Sequence, residues 1–238
     1  MIPKIIHYCW FGNTPEPKKF RLLKMSWERE CPGYLIKRWD ESNFDVNSFA
    51  YTRMTYQSGR YDLVSDFVRL FVIEKYGGLY LDVDVEVVRP LKKLLENQSF
   101  FGLEDFDSIN SGSIFGAIKH EKNISNLLSI YKGYKPTDPV YEKNCIEITT
   151  DYFRKLGFKY RNRTQIVNGC KIYATDYFCP GGYGYLGTPS PRKKTLTIHH
   201  YKDRSIKTII HINIGRLIRR IIGRTTFQKL YNVYKFKK

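Results

Sequence analysis

The segment that most constrains this fold is the apolar stretch Leu63 to Tyr76, which runs through Gly77-Gly78 into the alternating run Leu79 to Val88. In the first part Leu63, Val64, Phe67, Val68, Leu70, Phe71, Val72 and Ile73 cover most of a helical surface, which predicts a largely buried helix. A narrow stripe stays polar: Asp62, Ser65, Asp66 and Arg69 follow at three- and four-residue spacing and share one face. Two glycines then end the helix and turn it into a strand. From Leu79 onward the alternation predicts Asp82, Asp84 and Glu86 on one side and Leu81, Val83, Val85 and Val87 on the other. Residues two apart on a strand sit roughly 6–7 Å apart, and unpaired carboxylates at that distance raise each other's pKa unless a cation lies between them. The pattern asks for a divalent metal. The plain alternatives are a strand with its polar face in water, and an Asp66–Arg69 pair that only satisfies itself inside the fold.

The rest of the chain supplies the setting. Short apolar runs at Lys4 to Tyr8, Tyr34 to Arg38 and Leu79 to Val88 alternate with helical stretches at Lys18 to Glu30 and Leu63 to Tyr76, the rhythm of βαβ units. Ligands in such sheets sit at the strand ends. One α/β domain covering residues 1–205 can bury a sizeable core, and no internal repeat or long linker interrupts it.

At this point the chain resembles a known family. The run Ser65-Asp66-Phe67-Val68-Arg69, then Tyr76-Gly77-Gly78-Leu79-Tyr80-Leu81-Asp82-Val83-Asp84, then Arg89-Pro90-Leu91, resembles the signature of the family-32 glycosyltransferases. These include bacterial capsular and cell-surface polysaccharide enzymes, yeast initiating mannosyltransferases and the glucosylating domains of large clostridial toxins. The opening from Ile2 to Gly12, Asn110 to Ala117, Ile172 to Pro180 and Ile198-His199-His200-Tyr201 resemble further family segments in the family's order. The resemblance implies a GT-A fold, an α/β sandwich around a mostly parallel sheet with a nucleotide sugar bound above the carboxyl ends of the strands.

It also implies roles. Asp84 would ligate a divalent ion, Mn²⁺ or Mg²⁺, and Asp82 would hold the ribose or support the ion; both metals favour oxygen ligands, and the donor diphosphate supplies more. Asp66 would accept hydrogen bonds from the donor sugar, and Arg69 would contact sugar or phosphate with its forked donors. Trp10 would stack on the base, which the family makes uracil, with a guanine donor left open. Asn110 would contact the donor or acceptor, or serve as turn chemistry. The closing motif would add a metal or diphosphate contact; adjacent strand residues face opposite sides, so one of His199 and His200 is in the site, and His200 is favoured. The chain departs from the family at Ser205-Ile206, where a Ser-Trp pair often supplies an aromatic cap. The reaction implied is transfer with retention at the anomeric carbon, and no carboxylate pair stands out as acid and nucleophile in the manner of retaining glycosidases.

Residues 201–238 contain 11 Lys or Arg and one acidic residue, Asp203, so they hold +10 of the chain's formal +17. Within them Ile214, Leu217, Ile218, Ile221 and Ile222 recur at helical spacing opposite Arg216, Arg219, Arg220 and Arg224, and Phe227, Leu230, Tyr231 and Tyr234 continue the pattern. The tail 206–238 is therefore predicted to be a basic amphipathic helix, suited to an anionic membrane surface or to packing on the domain itself. Nothing resembles a nucleic-acid-binding motif. No run approaches the ~20 apolar residues of a membrane span, and Met1-Ile2-Pro3-Lys4 leads straight into a strand, so the expected location is the cytoplasm, peripheral on the inner membrane face. Five cysteines without a Cys-x-x-Cys pair predict neither a disulfide framework nor a zinc site.

The sequence thus predicts a metal-dependent glycosyltransferase that moves one sugar from a nucleotide donor to a lipid-linked oligosaccharide in capsular or related polysaccharide synthesis. The rival from another class is a catalytically idle basic adaptor on membrane or nucleic acid. An intact Asp66, Arg69, Asp82 and Asp84 set argues against it.

Overall fold

The computed structural model describes residues 1–105, 107–134, 144–180 and 191–201, with Ile214, Ile218 and Thr226 as isolated positions. Two compact units divide the chain, residues 1–182 with 189–200 and residues 183–188 with 201–238.

In the larger unit the predicted elements form nearly where the pattern places them. Strand β1 is Ile5–Cys9, helix α1 Lys18–Glu30, strand β2 Leu35–Trp39, helix α2 Ala50–Gln57 and helix α3 Tyr61–Tyr76. Strands β3 (Gly78–Leu81) and β4 (Val85–Val87) follow, then a 3-10 turn at Lys92–Glu96, β5 (Ser99–Asp105) and β6 (Ser108–Ala117). Helices α4 (Lys122–Lys132) and α5 (Cys145–Lys155), strands β7 (Gln165–Val167) and β8 (Cys170–Tyr173), helix α6 (Thr175–Phe178) and strand β9 (Thr197–His199) complete the described part. The main sheet has the order β2-β1-β3-β6-β5-β8-β7. Its pairs β1–β2, β1–β3 and β5–β8 are parallel while β3–β6, β5–β6 and β7–β8 are antiparallel. All strands but β6 and β7 therefore point the same way, and the sheet is mostly parallel, as expected.

Both faces of the sheet are covered because successive strand residues feed opposite cores. Tyr80, Phe101, Leu103 and Phe115 join a cluster with Val64, Phe67, Val68 and Leu127, whereas Leu79, Leu81, Phe100 and Ile114 join one with Phe20, Trp27 and Phe178. Helix α3 earns its apolar composition: Val64, Phe67, Val68, Val72 and Ile73 are fully buried, each stabilising by about 1.5–3 kcal/mol.

The turn out of α3 needs both glycines. Gly77 and Gly78 have φ of 66° and 112°, and a Cβ on Gly78 would meet the Ile5 carbonyl oxygen at 2.8 Å and His7 Nε2 at 3.0 Å. His7 locks this corner as a neutral ring. Trp39 Nε1 donates to its Nδ1 at 3.0 Å and its Nε2 lies 3.0 Å from the Gly77 carbonyl, and burial pushes its pKa down to about 4.

One expectation is corrected. The run Leu79 to Val88 is not a single strand: β3 stops at Leu81, Asp82-Val83-Asp84 form a turn closed by Val85 N donating to the Asp82 carbonyl at 3.1 Å, and β4 leaves the main sheet to pair with β9. The carboxylates consequently do not share one strand face. Aspartate favours turns, and α1 makes the departure possible by filling the missing edge of β4. Trp27 Nε1 donates to the Val85 carbonyl at 2.8 Å and Val87 N donates to Ser26 Oγ at 3.0 Å.

Among the described residues no helix is long and apolar enough to cross a membrane, and the five cysteines are free. In the smaller unit Ile214 and Ile218 are helical and 53% and 39% exposed. The other expected residues of the basic tail lie outside the described residues.

Candidate active site

The parallel register of β1 and β3, with His7 beside Tyr80, carries their carboxyl ends out together, so Cys9 and Trp10 emerge alongside Asp82. Strand β9 enters from the other side, with Val85 opposite His199 and His200 N donating to the Asp84 carbonyl at 2.8 Å. This convergence brings Asp82, Asp84 and His199 together, with one donor atom from each within 4.8 Å of the others.

Of the two histidines, His199 lies in this cluster, and His200, the one favoured from the sequence, lies against Glu86 instead. The register puts Glu86, Ile198 and His200 on one face of the β4–β9 ribbon and His199 on the opposite one. His200 Nε2 accordingly lies 2.7 Å from Glu86 Oε2, while His199 Nε2 lies 3.0 Å from Asp84 Oδ1. Glu86 is thereby separated from the other two carboxylates as well.

Arg69 is the hub behind this cluster. Its Nη2 lies 3.0 Å from Asp66 Oδ1 and 3.6 Å from Asp82 Oδ1. Its Nε donates to the Ser65 carbonyl at 3.1 Å and its Nη1 to the Ser111 carbonyl at 2.9 Å. The guanidinium stacks 4.8 Å from the centre of the Tyr80 ring, and Tyr80 donates its hydroxyl proton to Asp82 Oδ1 at 2.7 Å. Gly112 leaves room for the guanidinium: a Cβ there would meet Arg69 Nη1 at 3.0 Å.

Burial decides the electrostatics, and neighbouring charge corrects it. Asp66, 6% exposed, is pushed up to about 6 by desolvation against the pull of Arg69. Asp82 is raised by desolvation, which the Arg69 charge opposes and the Asp84 charge reinforces. Asp84 goes the other way: desolvation would raise it, but the hydrogen bond and charge of His199 outweigh that and hold it below the usual carboxylate range. His199 is correspondingly raised to about 10, since its bonds to Asp84 and then to the Cys179 thiol outweigh its burial. A proton on His199 thus sits where a cation would. Two carboxylate oxygens and one imidazole nitrogen suit a divalent ion such as Mn²⁺, whose taste for nitrogen exceeds that of Mg²⁺.

The remaining predicted residues divide. Trp10 lies at the strand ends, half-buried, with Nε1 donating to the Thr14 carbonyl at 2.7 Å. Asn110 lies within β6, opposite Gly102: its Oδ1 accepts from Gly112 N at 2.5 Å and its Nδ2 donates to Glu104 at 3.2 Å, in the bulged β5–β6 pair beside Arg69. Sequence reasoning gave no role to Tyr80 or Cys145, and it favoured His200 over His199. Tyr80 was readable, because it lies two residues before Asp82 near the end of β3. Cys145, whose thiol hydrogen-bonds to Asp66, reaches the site from the start of α5 and has no local signal.

Comparison with known proteins agrees with the geometry. Residues 17–101 match the family described as "Glycosyltransferase sugar-binding region containing DXD motif". An inositol phosphoceramide mannosyltransferase of Schizosaccharomyces pombe is 39% identical over 98 residues, 40% of this chain and 27% of that protein. An uncharacterized glycosyltransferase of Acanthamoeba polyphaga mimivirus is 28% identical over 182 residues, 73% of this chain and 63% of that protein. The chain thus spans less than two thirds of the length of these curated relatives. The solved PaToxG glycosyltransferase has a TM-score of 0.53 at 17% identity, over 65% of this chain and 68% of that one. A glycosyltransferase involved in glycosylation of the major capsid of PBCV-1 has a TM-score of 0.50 at 16% identity, over 89% of this chain and all of that one. The fold is of the GT-A type, and residues 17–101 are similar to the sugar-binding DXD region. The Asp-x-Asp within the matched residues is Asp82-Val83-Asp84, two of the three residues that converge in the cluster.

Proposed function

We propose that this protein is a metal-dependent, retaining glycosyltransferase that moves a sugar from a nucleotide donor, a UDP-sugar, to a lipid-linked oligosaccharide in capsular or related cell-surface polysaccharide synthesis. The observation that carries the reading is the convergence of Asp82, Asp84 and His199 at the carboxyl ends of the strands, with Arg69 and Asp66 directly behind. Asp82, Asp84 and His199 would hold Mn²⁺, which would act as a Lewis acid on the departing diphosphate. Arg69 holds Asp82 and Asp66 in place and adds positive potential behind the leaving group. Asp66 offers a desolvated carboxylate to the sugar hydroxyls, and the Trp10 indole offers a stacking face to the base. The lipid acceptor is supported by the name of the Schizosaccharomyces pombe relative, an inositol phosphoceramide mannosyltransferase. Location at the inner face of the membrane is supported by the basic, Ile-rich composition of residues 206–238.

The test is nucleotide release from a panel of UDP- and GDP-sugars with Mn²⁺, repeated with EDTA and with Asp84→Ala. Release from one donor that disappears in both controls supports the reading. No release and no metal-dependent nucleotide binding would leave the idle adaptor as the better account.

A further inference from the structure

Behind Asp66 lies an aromatic box that the reaction as described does not use. Tyr131, on the last turn of α4, is 1% exposed, and its hydroxyl oxygen is buried with no hydrogen-bond partner. Its ring meets Tyr51 edge-on at 5.2 Å and lies 6.5 Å from Phe67, the residue after Asp66 on α3. The ring thus lies against α3 one residue from Asp66, and after burial itself the groups that act most on the hydroxyl are Asp66, Cys145 and Tyr51. A buried phenol without a partner is a standing cost to the fold, and a phenylalanine would fill the same space without it. Tyr34 also has a buried, unpartnered hydroxyl, but it precedes β2 at the opposite end of the sheet from the site.

We propose that Tyr131 is a donor-recognition residue, whose hydroxyl, poised beside Asp66, hydrogen-bonds a hydroxyl of the sugar being transferred. Asp66, acceptor only when ionised, and Tyr131, which can donate or accept, would then read one edge of the sugar from two sides. This fixes which sugar fits, since a site built to bond a hydroxyl rejects a donor that lacks it or points it elsewhere. The assignment rests on the glycosyltransferase reading above and adds a specificity determinant to it.

Tyr131→Phe separates the two readings. The donor found by the panel should show a KM about tenfold higher in the variant, equivalent to ~1.4 kcal/mol, while metal-dependent binding of the bare nucleoside diphosphate stays within twofold. The melting temperature should hold or rise, because the unpartnered hydroxyl is gone. A deoxy form of the donor, lacking the hydroxyl in question, should be used equally by both proteins. An unchanged donor KM, an equal loss for the bare nucleotide, or a fall in melting temperature would each overturn the assignment. Failure of the unaltered protein to turn over any donor would instead defeat the glycosyltransferase reading, and this assignment with it.

Discussion

Replacing Arg69 with methionine tests how the site is held together. The long apolar stem is kept, so the packing on Tyr80 changes little, but Asp66 and Asp82 lose the guanidinium that lies 3.0 and 3.6 Å away. The Ser65 and Ser111 carbonyls lose their donors as well. Asp66 is 6% exposed and cannot rehydrate in place. Removing one partner of a buried ion pair costs about 3–5 kcal/mol, and for a domain of this size each kcal/mol moves the melting temperature by ~2–4 °C. The drop should be roughly 6–20 °C by differential scanning calorimetry without metal. It should also depend on pH. Asp66 already titrates near 6, above its unfolded value of 3.8, so its folded form holds the proton more tightly. Its contribution is most favourable at low pH and is lost as pH rises through the folded pKa, which the variant raises further. The deficit against the unaltered protein should therefore shrink between about pH 7.5 and about pH 5.5, and Asp66→Asn in the same chain should recover part of it. A drop below ~2 °C, or one indifferent to pH, would refute the view that Arg69 compensates buried carboxylates.

Other expectations follow from the same geometry. Without metal, the His199–Asp84 pair contributes stability that is fully present below the unfolded histidine value of 6.5 and is lost as pH rises through about 10. Thermal melts from pH 6 to 10 should show that decline, and His199→Gln should flatten it. At neutral pH, binding of Mn²⁺ should expel close to one proton, measurable by calorimetry in buffers of different ionisation enthalpy; no proton release would mean His199 does not join the site. Gly78→Ala should destabilise by about 1–3 kcal/mol from backbone strain alone, more with the contact on the Ile5 carbonyl, and chemical denaturation would show it. An unchanged midpoint would contradict the close approach.

The sequence disclosed elements better than their junctions. Helix α1 was legible to the residue, Lys18 to Glu30, and α3 began two residues before the predicted Leu63. Periodicity reports the face a residue occupies within an element, and it did so for Asp66 and Arg69. It fails where an element ends: the alternation from Leu79 to Val88 continues through the Asp82-Val83-Asp84 turn, so nothing local announces that β4 joins another sheet. The choice between His199 and His200 was hidden for the same reason, because it depends on the register of β9 against β4, a contact more than a hundred residues apart in the chain. Cys145 reaches Asp66, and Tyr131 reaches the neighbouring Phe67, only through the packing of α5 and α4, which no spacing encodes.

The most direct test of the metal centre is Mn²⁺ binding, followed by electron paramagnetic resonance in the presence of UDP, for the unaltered protein, Asp84→Asn, His199→Ala and His200→Ala. One ion per chain in the unaltered protein and in His200→Ala, with binding weakened at least about tenfold in the other two, is the predicted result. Binding that survives both Asp84→Asn and His199→Ala, or is lost in His200→Ala alone, would contradict it.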